Sequence, residues 1–253
     1  MIELCSIASG SNGNCYYIGN NRDAILIDAG ISARQLFSRL YEKRIDPHKV
    51  SAVFISHEHS DHTCGARVLG KRLRIPVYLT SRTFLAMHRN HQPFSPRFFE
   101  PGKPVVAGSF IVHPFLKNHD ATEPCSFRIE SEGNQIGVMT DIGSPCENVT
   151  SHLNLCHALF LETNYDKKML MEGSYPWYLK QRIASDHGHL SNDQAFELLK
   201  NHAGEQLKMV LLSHLSAENN RPEIAGERFR ELERKYDIVI TSRHAPGEVF
   251  RLT

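Results

Sequence analysis

Residues 57–62 read His57-Glu58-His59-Ser60-Asp61-His62, and the rest of the chain is best read outward from this hexapeptide. Its three imidazoles and the Asp61 carboxylate are four potential metal ligands in the pattern H-x-H-x-D-H. Imidazole with carboxylate suits Zn²⁺ and its first-row neighbours, whereas Mg²⁺ and Ca²⁺ prefer shells made of oxygen. A purely structural role is hard to sustain. Each buried imidazole needs hydrogen-bond partners, and Asp61 would be an unpaired charge. A solvated polar turn is the plain alternative, and the flanking sequence argues against it.

Residues 50–56 form a short apolar run that reads as a buried strand. After the hexapeptide, Ala66, Leu69 and Leu73 repeat at helical spacing over 65–74. The ligands therefore fall on a strand-to-helix turn, where α/β proteins commonly build sites. Other strand ends repeat the theme. Asp28 ends a strand at 24–28, and His119-Asp120 follow one at 110–116. Asp141 ends one at 135–140, Glu162 follows one at 158–161, and His214 follows one at 209–212. Further strands are expected at 76–79, 125–130 and 238–241. Ser32 reads as the N-cap of a helix running to about residue 44. Ser191 with Gln194 makes a capping box that opens a helix at 192–202, directly after His187-Gly188-His189. A last helix is expected over 222–236. Residues 88–104 read as a loop and 163–190 as an irregular insertion. The sum is an α/β chain with two sheets between helical layers, a single domain over 1–253.

Composition sets outer bounds. The chain has 253 residues, 41% of them apolar, and no apolar run approaches a membrane span. A formal charge of +1 gives no global pull toward nucleic acid or membrane, so a polyanion site must be a local patch. The N-terminus lacks the basic and apolar segments of a signal peptide. Six cysteines without a C-x-x-C pair read as reduced thiols packed in a cytoplasmic protein, Cys64 included.

Several longer motifs carry a family resemblance. They are Ser9-Gly10-Ser11-Asn12-Gly13-Asn14-Cys15, Leu26-Ile27-Asp28-Ala29-Gly30, the hexapeptide, Asn118-His119-Asp120-Ala121 and Thr140-Asp141-Ile142-Gly143. Three more follow: Leu179-Lys180-Gln181-Arg182-Ile183, Gly188-His189-Leu190-Ser191-Asn192 and His214-Leu215-Ser216-Ala217-Glu218-Asn219-Asn220. With these the chain resembles the metallo-β-lactamase-fold hydrolases, and within them the YycJ/WalJ family. The resemblance implies a four-layer αβ/βα sandwich with a dinuclear metal site between the sheets. It assigns His57, His59 and His119 to one divalent ion and Asp61, His62 and His214 to a second, with Asp141 bridging them. The ions would be Zn²⁺ or Mn²⁺, with Fe²⁺ a third choice. Asp28 would orient His62 or a neighbour. His189 stands where the tRNA-processing relatives carry a catalytic histidine, and it would act with Asp61 in catalysis. His59, where flavodiiron relatives have Glu, argues for hydrolysis over oxygen reduction.

For activity, the resemblance implies a nuclease, a 5′-to-3′ exonuclease acting on DNA. Lys180 and Arg182 are then candidates for phosphate contact, and Ser11 and Asn12 for lining the substrate mouth. Arg67, Lys71, Arg72 and Arg74 offer further charge, although a solvated helix face explains them equally well. Tyr175, Trp177 and Tyr178 would stack on bases or simply pack the insertion. Glu162 is either a support for the site or a salt-bridge partner. His187 and His244 are weaker candidates for the rim, and the other histidines lack ligand spacing. Two alternatives stand beside the nuclease: a thioester, lactone or amide hydrolase of the same fold, and a metal-binding regulatory module without turnover.

Overall fold

Residues 24–27, Ala-Ile-Leu-Ile, are apolar without alternation, so a strand there has to bury both faces. The computed structural model, which describes residues 1–252, shows what covers each face. In chain order the first half comprises Ile2–Ala8 (β1), Cys15–Gly19 (β2), Ala24–Ile27 (β3) and helix Ala33–Glu42 (α1). Val50–Phe54 (β4), Ser60–Thr63 (α2), Ala66–Leu73 (α3), Val77–Leu79 (β5), Ser81–Ala86 (α4) and Pro96–Phe98 (β6) follow. The second half comprises Val105–Ala107 (β7), Phe110–Leu116 (β8), Cys125–Ser131 (β9), Asn134–Met139 (β10), Glu147–Asn154 (α5) and Ala158–Glu162 (β11). Then come Lys167–Glu172 (α6), Trp177–Ile183 (α7), Asn192–His202 (α8), Met209–Ser213 (β12), Pro222–Phe229 (α9), Asp237–Ile240 (β13) and Phe250–Leu252 (β14).

The strands make two seven-stranded sheets, ordered β14-β1-β2-β3-β4-β5-β6 and β13-β12-β11-β10-β9-β8-β7. Ile25, Ile27 and Phe54 from the first sheet meet Phe127, Ile129 and Phe160 from the second in a shared core. The alternate residues Leu26 and Val53 face outward onto Leu36 and Leu40 of α1 and Leu69 of α3. On the far side, Leu159, Leu161 and Val210 pack against α5, α8 and α9. The layers are therefore helix, sheet, sheet, helix. Strands β3 to β6 run parallel, as do β10 to β13, and β8 shares the direction of β10 because both are antiparallel to β9.

Both capping boxes, Ser32 with Gln35 and Ser191 with Gln194, are formed. Four expectations need correction. The 88–104 loop contains β6, an exposed edge strand whose opening Pro96 is tolerated because an edge position leaves its missing N–H unneeded. The insertion at 163–190 holds two helices, α6 and α7. Their apolar residues Met171, Trp177 and Tyr178 are exposed, which hides the amphipathic period. The helix expected at 222–236 closes at Phe229 and tightens into a 3₁₀ turn over Arg230–Arg234. Finally, the Cys64 thiol is exposed rather than packed, whereas Cys5, Cys15, Cys125 and Cys156 are buried. No helix among the described residues is long and apolar enough to cross a membrane.

Candidate metal centre

Because β3, β4, β8, β10, β11 and β12 point the same way within their sheets, the residues following them emerge at one edge of the sandwich. There the structure brings together His57, His59, Asp61, His62, His119, Asp141, His189 and His214. Two groupings, His57/His59/His119 and Asp61/His62/His214, each present ligand atoms within 4.8 Å of one another. His57 Nε2 and His59 Nδ1 are 3.0 Å apart. Asp141 lies between the groups, with Oδ2 3.3 Å from His62 Nε2 and Oδ1 4.0 Å from His119 Nε2.

The supporting contacts fix which ring atom faces the centre. Asp28 is buried; its Oδ2 lies 2.7 Å from His62 Nδ1 and accepts from Ser56 Oγ at 2.9 Å. Ser56 Oγ in turn stands 2.9 Å from His57 Nδ1, so one carboxylate orients two imidazoles. His119 Nδ1 lies 3.0 Å from the Gly188 carbonyl. Asn14 places Nδ2 3.1 Å from His62 Nε2, and its backbone N–H donates to the Asp61 carbonyl. Gly30 is required beneath the turn, since a Cβ there would sit 1.6 Å from the Asp61 carbonyl oxygen.

Whether divalent ions fit is tested by the atoms left over. Among the described residues His119 Nε2, His214 Nε2 and Asp141 Oδ2 are buried with no hydrogen-bond partner. Three orphaned polar atoms on one small site would each cost stability unless something binds them. The donors are imidazole nitrogens and carboxylate oxygens, the set that suits first-row divalent ions. The residues fit such ions.

Electrostatics agree. Burial holds His119 down at about 3 and His57 well below the usual imidazole range, so both rings keep a lone pair for ligation. Burial would also lower His214, but the facing Asp141, Asp61 and Glu162 carboxylates outweigh it and hold the ring up at about 10.

A family model described as a beta-lactamase superfamily domain matches residues 23–214. The exodeoxyribonuclease WalJ of Streptococcus pneumoniae serotype 2 is 34% identical over 224 residues, which cover 87% of this chain and 83% of that protein. The exodeoxyribonuclease YycJ of Bacillus anthracis is 33% identical over 227 residues, covering 88% of this chain and 86% of that one. The chain belongs to the WalJ/YycJ family of the metallo-β-lactamase superfamily. Among solved structures, Zn²⁺-bound PqqB from Methylobacterium extorquens superposes on it over 100% of both chains with a TM-score of 0.74 at 12% identity, a likeness of fold.

In this WalJ/YycJ-family chain His59, Asp61, His119, Asp141 and His214 of the candidate metal set line a cleft of about 360 Å³, walled on one side by Tyr175, Leu179, Arg182 and Ile183 of the helical insertion. Ser11 lines the cleft. Asn12 does not line it, and its Oδ1 accepts from Arg243 Nη2 at 3.2 Å. Arg182 reaches the cleft but pairs with Asp120 at 2.5 Å. Lys180, expected to meet substrate, does not line the cleft: its buried ammonium donates to the Met171 carbonyl at 2.7 Å and ties α7 to α6. His187 and His244 are exposed outside the cleft.

Glu162 proves central. Fully buried, its Oε1 lies 2.8 Å from Nδ1 of both His189 and His214, and its Oε2 accepts from the backbone of Ile142 and Leu190. The signal was a carboxylate closing the apolar run Ala158-Leu159-Phe160-Leu161, where an unpaired charge cannot be buried cheaply. Asn164, whose Nδ2 donates to the His214 carbonyl at 2.9 Å, and buried Lys117, whose Nζ donates to the Thr140 carbonyl at 2.6 Å, left no comparable mark.

Proposed function

We propose that the protein is a metal-dependent phosphodiesterase that degrades DNA from an end, with 5′-to-3′ polarity, in the cytoplasm. The observation that carries this reading is the convergence at one sandwich edge of seven candidate ligand side chains, five of them lining the cleft, with His189 held beside them by Glu162. The WalJ and YycJ relatives, named exodeoxyribonucleases, support the choice of DNA. All six thiols are free, which suits a reducing compartment.

In this reading His57, His59 and His119 hold one ion, and Asp61, His62 and His214 hold the other, with Asp141 between them; Zn²⁺ and Mn²⁺ are the leading choices. Bound there, such ions would supply Lewis acidity toward phosphoryl oxygens and would lower the pKa of water to about 7. Asp61 and Asp141, both lining the cleft, would orient the attacking water. His189 has Nδ1 engaged by Glu162, which leaves Nε2 as the ring nitrogen for substrate. That nitrogen is placed to give a proton to the departing oxygen of the nucleotide. Arg182, anchored on Asp120, lies at the rim to receive a phosphate.

The test is a digest of end-labelled single- and double-stranded DNA with Mn²⁺ or Zn²⁺, beside thioester and β-lactam substrates. DNA shortened from the 5′ end is expected. His189→Ala should keep two ions by elemental analysis and lose about 10²–10⁴-fold in turnover, the usual contribution of a positioned general acid. Turnover of a thioester with no cleavage of any nucleic acid would overturn the reading.

A further inference from the structure

The longest stretch of the chain without a carboxylate is residues 62–99. These 38 residues hold seven of the 29 Lys and Arg and none of the 28 Asp and Glu, so the other 215 residues carry 28 acids against 22 cations. A near-neutral molecule thus keeps its excess positive charge in one segment.

The fold gathers much of that segment into one lobe. Thr63 Oγ1, at the end of the metal turn, lies 3.1 Å from His91 Nδ1. Arg67 donates to the Gln92 carbonyl at 3.0 Å and stacks its guanidinium 3.8 Å from the centre of the Phe94 ring. Gln92 donates to the Phe84 carbonyl at 2.9 Å, and the Phe84 ring meets Phe98 of β6 edge-on at 5.7 Å. α3, α4, residues 88–95 and β6 are therefore contiguous at the edge of the first sheet. α4 and the loop after it follow the carboxyl end of β5, which parallels β4, so they emerge at the same edge as the metal turn.

The surface of this lobe is cationic and aromatic. Lys71, Arg82, Arg89 and Arg97 are exposed. Among the described residues only Arg82 of these four has an ion-pair partner, Glu123 at 3.9 Å. Phe94 and Phe98 are each 57% exposed. Arg72 leans on Phe37 of α1, and Arg74 ends α3 at the amino end of β5, so neither belongs to this face. The cleft itself is poor in positive charge: among the described residues Arg182 is the only Lys or Arg lining it, and it is paired with Asp120.

We propose that this lobe is the docking surface for the polynucleotide beyond the scissile bond. Lys71, Arg82, Arg89 and Arg97 meet backbone phosphates, and the exposed rings of Phe98 and of Phe94, the latter backed by Arg67 and Lys71, lie where bases can pack. The inference rests on the nucleic-acid reading of the cleft and adds where the rest of the strand lies. Three exposed charges without a carboxylate partner, with Arg82 held only at 3.9 Å from Glu123, stand beside exposed aromatic rings and suit a phosphate backbone with bases attached.

The experiment uses the metal-loaded full chain and the triple variant Lys71→Gln/Arg89→Gln/Arg97→Gln. Turnover of bis(4-nitrophenyl) phosphate reports the cleft alone. Fluorescence anisotropy with a cleavage-resistant phosphorothioate DNA strand, titrated over salt, reports docking. The expected result is small-substrate turnover within about twofold of wild type, about tenfold or greater weakening of DNA binding, and a salt slope smaller by about 2. Unchanged DNA binding and salt slope overturn the docking surface, as does a parallel loss of small-substrate turnover. Polyglutamate bound as tightly as DNA, with the same loss in the variant, assigns the surface to acidic protein and also overturns it. Should the wild type bind DNA through this face yet cleave none, the docking surface stands and the nuclease reading falls.

Discussion

Asp28, Asp141 and His214 share an uncommon backbone state, with φ of 63°, 56° and 58°. Left-handed conformations in residues other than glycine cost on the order of 1 kcal/mol and gather at functional sites. Asp28 and His214 are the first residues past β3 and β12, and Asp141 is the second past β10. Hydrogen bonds offset the strain: Asp28 accepts from the Ser56 backbone at 2.8 Å, and the His214 N–H donates to Ser9 Oγ at 2.7 Å.

The charges at these residues make metal uptake pH-dependent. In the metal-free protein, burial would lower His62 as it does His57, but the facing Asp141, Asp61 and Asp28 carboxylates raise it well above its ordinary value. His214 moves from an ordinary 6.5 to about 10. Its pairing therefore stabilises the metal-free fold fully below about 6.5 and is lost as pH rises through about 10. Glu162 behaves oppositely. Burial would raise it, but the His189 and His214 rings hold it down to about 2 from 4.5, so its contribution is present above about 4.5 and lost as pH falls through about 2. At pH 7 both His62 and His214 thus carry a proton that ligation must displace. Calorimetry of Zn²⁺ binding in two buffers of different ionisation enthalpy should show about two protons or more released, with affinity rising from pH 6 to 8. Binding without proton release would refute the assignment of these two rings as ligands.

At the scale of elements, the segment after His189 is the best-determined piece of the site. The Gln194 N–H donates to Ser191 Oγ at 3.2 Å, and the Ser191 N–H donates to Gln194 Oε1 at 2.9 Å, which fixes where α8 begins. Ser191→Ala should lower stability by about 1 kcal/mol in urea unfolding, with metal content unchanged. A loss of metal would mean that the cap also holds the ligand loop. This capping box was legible because it lies within four residues. The helices of the insertion were not legible: α7 presents Trp177 and Tyr178 to solvent and turns Lys180 inward, the reverse of the polarity on which a periodicity reading depends.

At the scale of the molecule, the site exists because two sheets share a core. Phe127 of β9 meets Phe54 of β4 at 6.0 Å and Phe99 at 5.9 Å, joining the halves of the chain. Phe127→Ala should cost about 3–5 kcal/mol in urea unfolding, and the protein should still unfold in one transition. Two separate transitions in the wild type would mean that the sheets fold independently. The shared core also holds the candidate ligands in register, since His57 to His62 follow the first sheet while His119, Asp141 and His214 follow the second.

The His and Asp residues that gather at the site, their place at strand ends and the four-layer architecture were legible along the chain. Strand, turn and cap chemistry act over a few residues, and the motifs from Ser9 to Asn220 lie in such short pieces. The shared support of Glu162, 27 residues from His189 and 52 from His214, was set by tertiary packing. So were the backing of Asp61 by Asn14, the inward turn of Lys180 and the gathering of α3, α4 and β6 into one basic lobe. Those contacts join segments far apart in the chain, and no local period or propensity encodes which distant carboxylate, carbonyl or ring will meet a given side chain once the sheets close.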